Sequence, residues 1–96
     1  MYYFAIYDLE NVPAEYYDDV KDAIKSIGYT DKIKSSVGKY YLFPSTTLAK
    51  EVSDASNTLE EWEKVNKAIN SALPKGGTIK TLFVTSVNAW TGTLEN

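Results

Sequence analysis

Tyr2-Tyr3-Phe4-Ala5-Ile6-Tyr7-Asp8-Leu9 is an almost unbroken apolar and aromatic run near the start of the sequence. It is rich in aromatic and branched residues and too short for an independent helix, so it reads as a strand. Side chains alternate along a strand, which puts Tyr3, Ala5, Tyr7 and Leu9 on one face and Tyr2, Phe4, Ile6 and Asp8 on the other. Both faces are greasy. Ala5 is small and suits the close approach of helices, so the Tyr3 face is expected to point inward and the Tyr2, Phe4 and Ile6 face to lie open.

Working outward from this strand, residues 13–27 repeat apolar side chains at Tyr16, Tyr17, Val20, Ala23, Ile24 and Ile27, the spacing of a helix. Pro13 suits a first helical position, where its missing N–H is not needed. Glu15, Asp18 and Asp19 near the start and Lys25 near the end complement the helix dipole, and Gly28 is placed to end the helix in a left-handed turn. Two strands are expected at residues 31–35 and 39–43, joined by a tight turn at Ser36, Val37 and Gly38. Residues 45–57 are polar and read as a long, mobile surface loop or an extension of the third strand.

Thr58 followed by Glu61 has the form of a capping box, and Trp62, Val65, Ile69, Ala72 and Leu73 continue at helical spacing. Glu60 with Lys64 and Glu63 with Lys67 are favourable pairs four apart, each worth only ~0.3 kcal/mol. Pro74, Gly76 and Gly77 stop this second helix. The β-branched and aromatic segment Thr78–Val87 forms the last strand.

The order strand, helix, strand, strand, helix, strand is the ferredoxin-like, or split βαβ, pattern. It predicts an α+β fold with a four-stranded antiparallel sheet, strands one and three in its centre and both helices on one face. With 96 residues, 44% of them apolar, the chain fits one domain that buries roughly two-thirds of its unfolded surface. Two helices cover one side of such a sheet. An open face carrying Tyr2, Phe4 and Ile6 is a patch that monomers usually avoid, so these three are expected to form a two-fold homodimer interface. The alternative is a reversed face assignment, or a loop at residues 45–57 folded over the patch.

The chain contains neither cysteine nor histidine, which excludes disulfides, thiolate metal sites, side-chain redox chemistry and imidazole catalysis. Thirteen acidic against ten basic residues give a net charge of −3, which opposes diffuse attraction to nucleic acid and leaves RNA or DNA binding to a local basic patch. Met1 to Glu10 has no secretory leader pattern, and no segment approaches the ~20 apolar residues that cross a bilayer. A cytoplasmic location without a membrane partner is expected.

Asp8, with Glu10 and Asn11 nearby, is the candidate for chemistry. Hard oxygen ligands of this kind suit magnesium, and in a two-fold dimer Asp8 would be supplied twice, with a metal on the axis activating water for phosphodiester attack. The competing reading makes Asp8 a cap of the strand-to-helix turn and Glu10 a solvated surface residue. Lys32, Lys34 and Lys39 around the hairpin, next to Tyr40 and Tyr41, combine cations and rings as nucleic-acid-binding surfaces do. Lysines on a hairpin edge also discourage edge-to-edge aggregation. A non-catalytic module that binds a protein partner is the alternative function.

Several short motifs carry a family resemblance. Tyr7, Asp8 and Leu9 at the end of the first strand, Ala23-Ile24-Lys25-Ser26-Ile27-Gly28 at the end of the first helix, and Ala89-Trp90-Thr91-Gly92 after the last strand resemble the small bacterial SinR-like proteins. These are related to the ferredoxin-like CRISPR adaptation protein and to the VapD toxins. The resemblance implies a ferredoxin-like homodimer. It also implies that Asp8 matches the aspartate associated in those relatives with metal-dependent ribonuclease activity, although several relatives act as scaffolds without cleavage. The polar residues 45–57 and the acidic balance depart from the family pattern.

Overall fold

The computed structural model describes residues 1–88; Ala89, Trp90, Thr91 and Gly92 lie outside the described residues. The element order is β1 (Tyr2–Glu10), a 3-10 turn (Ala14–Tyr16), α1 (Tyr17–Lys25), β2 (Lys32–Lys34), β3 (Tyr40–Leu42), β4 (Thr47–Glu51), α2 (Thr58–Ala72) and β5 (Thr78–Val87). This is an α+β architecture of two helices and antiparallel sheets. None of the helices among the described residues is long and apolar enough to cross a membrane.

β1 is the central strand of a three-stranded sheet ordered β4-β1-β5, antiparallel throughout. Its inward face is the expected one. Tyr3, Ala5, Tyr7 and Leu9 are buried, and Leu48 of β4, paired with Ala5, joins them. Val20 and Ile24 of α1 and Val65 and Ile69 of α2 close over this row with no exposed surface. Each such fully buried aliphatic side chain contributes roughly 1.5–3 kcal/mol relative to exposure. Ala5, itself wholly buried, lets the helices approach the middle of the sheet.

The expected single four-stranded sheet is replaced by a three-stranded sheet and a separate hairpin, β2-β3, in the register Lys32–Leu42, Ile33–Tyr41 and Lys34–Tyr40. The strand beside β1 is not residues 39–43 but Thr47–Glu51, inside the polar stretch expected to be a surface loop or an extension of the third strand. Its Leu48 and Ala49 are buried, whereas Tyr40 and Leu42 are exposed, so burial decides which segment pairs with β1. Pro44 lacks an N–H for a ladder, and the turn that follows it closes with the Thr47 N–H donating to the Pro44 carbonyl at 3.0 Å. The hairpin joins the main sheet through one antiparallel bridge, Thr30–Ala49, whose two backbone bonds measure 2.7 and 2.9 Å. The rest of residues 45–57 is anchored as well: the Val52 N–H donates to the Met1 carbonyl, the Asn57 N–H to the Tyr3 hydroxyl, and Ala55 is buried.

Two helix expectations change. Pro13 has extended ψ, 150°, and precedes a 3-10 turn, so α1 proper starts at Tyr17. Gly28 follows the helix at φ +102°, a conformation that favours glycine, with its N–H on the Lys25 carbonyl. The Thr58–Glu61 capping box does not form: Asn57 is the N-cap, without a side-chain cap bond, and Glu61 is turned into the protein.

Candidate functional site

The face of the sheet away from the helices presents Tyr2, Phe4, Ile6, Asp8 and Glu10 from β1, as alternation requires. It is not uniformly bare. Phe4 is half-buried: Phe43, just beyond β3, packs against it with ring centroids 5.4 Å apart, and Tyr2 meets its ring edge-on at 6.3 Å. Ile6 and its cross-strand partner Phe83 remain uncovered, at 42% and 64% exposure. The apolar centre of the open face is therefore Ile6 with Phe83 among the described residues, and the expected interface residues Tyr2 and Phe4 form its half-shielded margin.

Asp8 lies on this face, exposed, two residues along from Ile6 and opposite Thr81. A register shift follows: Asp8 pairs with Thr81 but Leu9 with Ile79, leaving Lys80 as the extra residue of a bulge. The Asp8 carboxylate makes no hydrogen bond or ion pair among the described residues, so the turn-capping role is not observed. Asn11, at φ +58°, makes the turn instead. Asp8 and Glu10 share the face about 7 Å apart along the strand. They are the two oxygen donors a magnesium ion would find here, a number that suits an ion keeping most of its waters. No group of three or more such ligands occurs among the described residues.

The basic residues gather elsewhere. Lys32 and Lys34, alternate residues of β2, line a groove of about 310 Å³ together with Thr30, Ala49, Tyr2 and Glu51. Tyr40 packs beside them, with the Lys32 and Lys34 ammonium groups 4.9 and 5.7 Å from its ring centroid. Lys39 sits at the hairpin turn, exposed, and does not line the groove. Tyr2 and Asp8 are six residues apart on an extended strand, a separation of about 20 Å. The fold thus brings Lys32, Lys34 and Tyr40 together but sets Asp8 at the other end of the sheet.

On the helix side, Glu61 is buried at 6% exposure between Tyr29, Lys50 and Lys64. The Tyr29 hydroxyl donates to its Oε1 at 3.0 Å, Lys50 Nζ lies 3.3 Å from the same oxygen, and Lys64 Nζ lies 3.4 Å from Oε2. Burial by itself raises the Glu61 pKa. The Tyr29 hydroxyl and the two ammonium groups outweigh it, so the carboxyl titrates below its ordinary range. Burial, together with the bond to this carboxylate, pushes the Tyr29 hydroxyl far up. Tyr7, also buried, has its pKa pushed up to about 12 by burial and by Tyr17, and its hydroxyl has no hydrogen-bond partner among the described residues. Reading Glu61 as a capping residue hid this cluster, yet Glu61, Val65 and Ile69 fall four apart on one stripe, a signal that Glu61 faces inward.

The chain matches no protein-family model, no curated protein and no solved structure.

Proposed function

We propose that this chain is an assembly module of the ferredoxin-like, SinR-like kind that works as a two-fold homodimer, a second copy seated on the open face of the sheet. The observation that carries the reading is the exposed Ile6–Phe83 cross-strand pair in the middle of a sheet face that the helices leave bare. The ferredoxin-like arrangement draws support from the central position of β1 and from the Thr30–Ala49 bridge, which sets the start of the hairpin beside β4 and continues the order β5-β1-β4 by one position.

Sedimentation equilibrium tests the pairing. The 10.7 kDa chain should sediment at twice that mass, and Phe83→Asp, at a position exposed in the protomer, should sediment as a folded monomer. A wild-type monomer at high micromolar concentration, or a Phe83→Asp dimer, contradicts it.

A second reading is favoured by one placement: Asp8 borders the Ile6–Phe83 patch, so pairing through that patch brings the Asp8 side chains of two copies to one interface. In this reading the paired Asp8 carboxylates hold magnesium, which supplies an activated water for RNA cleavage. With labelled RNA and magnesium, Asp8→Ala should lower cleavage by at least about 100-fold, in line with removal of a catalytic group. Cleavage that survives the substitution, or that persists without a divalent cation, removes Asp8 from the chemistry.

A further inference from the structure

We propose that the groove between β4 and the β2-β3 hairpin binds a small phosphomonoester that also carries a hydroxyl or amino group, the phosphate on Lys32 and Lys34 and the polar group on Glu51. The site goes beyond the pairing of copies and does not depend on it.

Unpaired charge points to the ligand. Acidic residues outnumber lysines in this chain, and Lys25, Lys50 and Lys64 all have carboxylate partners. Lys32 and Lys34 line the groove with no carboxylate partner among the described residues. Their segment, residues 32–42, holds three lysines and no acid, so the net −3 of the chain divides into +3 here and −6 elsewhere. Lys21, Lys39, Lys67, Lys75 and Lys80 also make no ion pair among the described residues, so what sets Lys32 and Lys34 apart is that the two line one groove side by side.

The pair is also kept together. As alternate residues of one strand, Lys32 and Lys34 project from the same face about 7 Å apart at the backbone. The Tyr40 ring, which does not line the groove, holds both ammonium groups at 4.9 and 5.7 Å, so the two heads rest together beside the groove and swing in on their flexible stems to meet a phosphate there. A phosphomonoester carries a charge of about −1.5 to −2 at neutral pH and three strong acceptor oxygens, which matches two ammonium groups; a carboxylate or a bridging phosphodiester brings only one charge.

The remaining walls select the rest of the molecule. Glu51 lines the groove as well, and the Tyr2 hydroxyl donates to its Oε2 at 2.8 Å, which fixes the carboxylate and leaves it able to accept from a ligand hydroxyl or amine. Ile33 and Ala49, exposed by only 6% and 2%, supply an apolar floor. Gly28 leaves its end of the groove open. It stands at φ +102°, and a Cβ there would come within 3.3 Å of the Lys50 stem. The volume of about 310 Å³ lies at the small end of ligand pockets, the size of a phosphosugar and too small for a long polymer to be enclosed.

Titration calorimetry of the full chain with ribose 5-phosphate, inorganic phosphate, ribose, and an RNA oligonucleotide without terminal phosphate tests the site. Ribose 5-phosphate should saturate one site per chain with a Kd below about 1 mM, at least about 10-fold tighter than inorganic phosphate, and ribose should not bind. Lys32→Gln and Lys34→Gln, both at exposed positions, should each weaken it at least about 10-fold. Glu51→Gln should weaken ribose 5-phosphate and leave inorganic phosphate unchanged. The proposal is overturned if ribose 5-phosphate does not saturate, if the lysine variants bind it as the wild type does, or if the oligonucleotide binds more tightly than ribose 5-phosphate. Sedimentation of the same samples reads the pairing of copies separately, so the two ideas fail independently.

Discussion

At the scale of single residues, Glu61 is the one buried charged side chain among the described residues, and its charge must be matched in place. Glu61 is charged while buried because Tyr29, Lys50 and Lys64 surround its two oxygens. Those partners come from the segment after α1, from β4 and from α2, so the cluster fastens three parts of the chain to one carboxylate. Its folded pKa lies below the unfolded value of about 4.3, so its contribution to stability is whole above that pH and is lost as pH falls through the lower folded value. Glu61→Gln should cost roughly 1–3 kcal/mol at pH 7, because a neutral amide leaves the partly buried Lys50 without its counter-charge. Urea unfolding of both proteins at pH 7 and pH 3 checks this: the gap between them should narrow at the lower pH, and a gap that is constant or widens contradicts the assignment. The cluster was legible only in part. The helical stripe Glu61, Val65, Ile69 is visible in the sequence, but Tyr29 and Lys50 are 32 and 11 residues away from Glu61, and no local pattern announces that they meet it.

At the scale of elements, hydrophobic periodicity read correctly wherever one face of an element met the core. The alternation of β1, the two apolar helical stripes, the closing turn at Gly28 and the bounds of Thr78–Val87 all appear as expected. The failure came between Asp31 and Asn57. Tyr40, Tyr41, Leu42 and Phe43 look like a core strand by composition, but what places a strand is its partner across the sheet, and Leu48 and Ala49 fill the core position from within a polar stretch. The hairpin is held to the body by the Thr30–Ala49 bridge, by the burial of Ile33, by the Phe4–Phe43 contact and by the Lys25–Asp31 ion pair at 3.2 Å. These are few ties beside the continuous ladder of β1 and β5. Native-state hydrogen exchange should therefore show the Ser35 and Phe43 amides, bonded at 2.8 and 2.9 Å, opening at least roughly 100-fold more often than the central amides of β1. Equal protection in hairpin and β1 contradicts a loosely attached element.

At the scale of the molecule, a chain this short uses its two helices on one side of the sheet, and the other side keeps what the pleat puts there. The extents of 43 × 35 × 19 Å match two layers, and among the described residues no third layer covers Ile6 and Phe83. Sequence reading reached the inward and outward faces of β1 because alternation is a local rule. It did not reach the cover that Phe43 lends to Phe4, nor the exposure of Phe83, since both depend on how distant segments come together. It named Lys32, Lys34 and Tyr40 as a group but not the groove that Thr30, Ala49 and Glu51 complete. A second copy over the open face is visible to isotope-filtered nuclear Overhauser spectroscopy on a mixture of labelled and unlabelled protein. Intermolecular contacts should join the Ile6 methyl groups of one copy to the Phe83 ring of the other. Their absence at millimolar concentration, or intermolecular contacts confined to the outer surfaces of α1 and α2, would mean that the open face is not where copies meet.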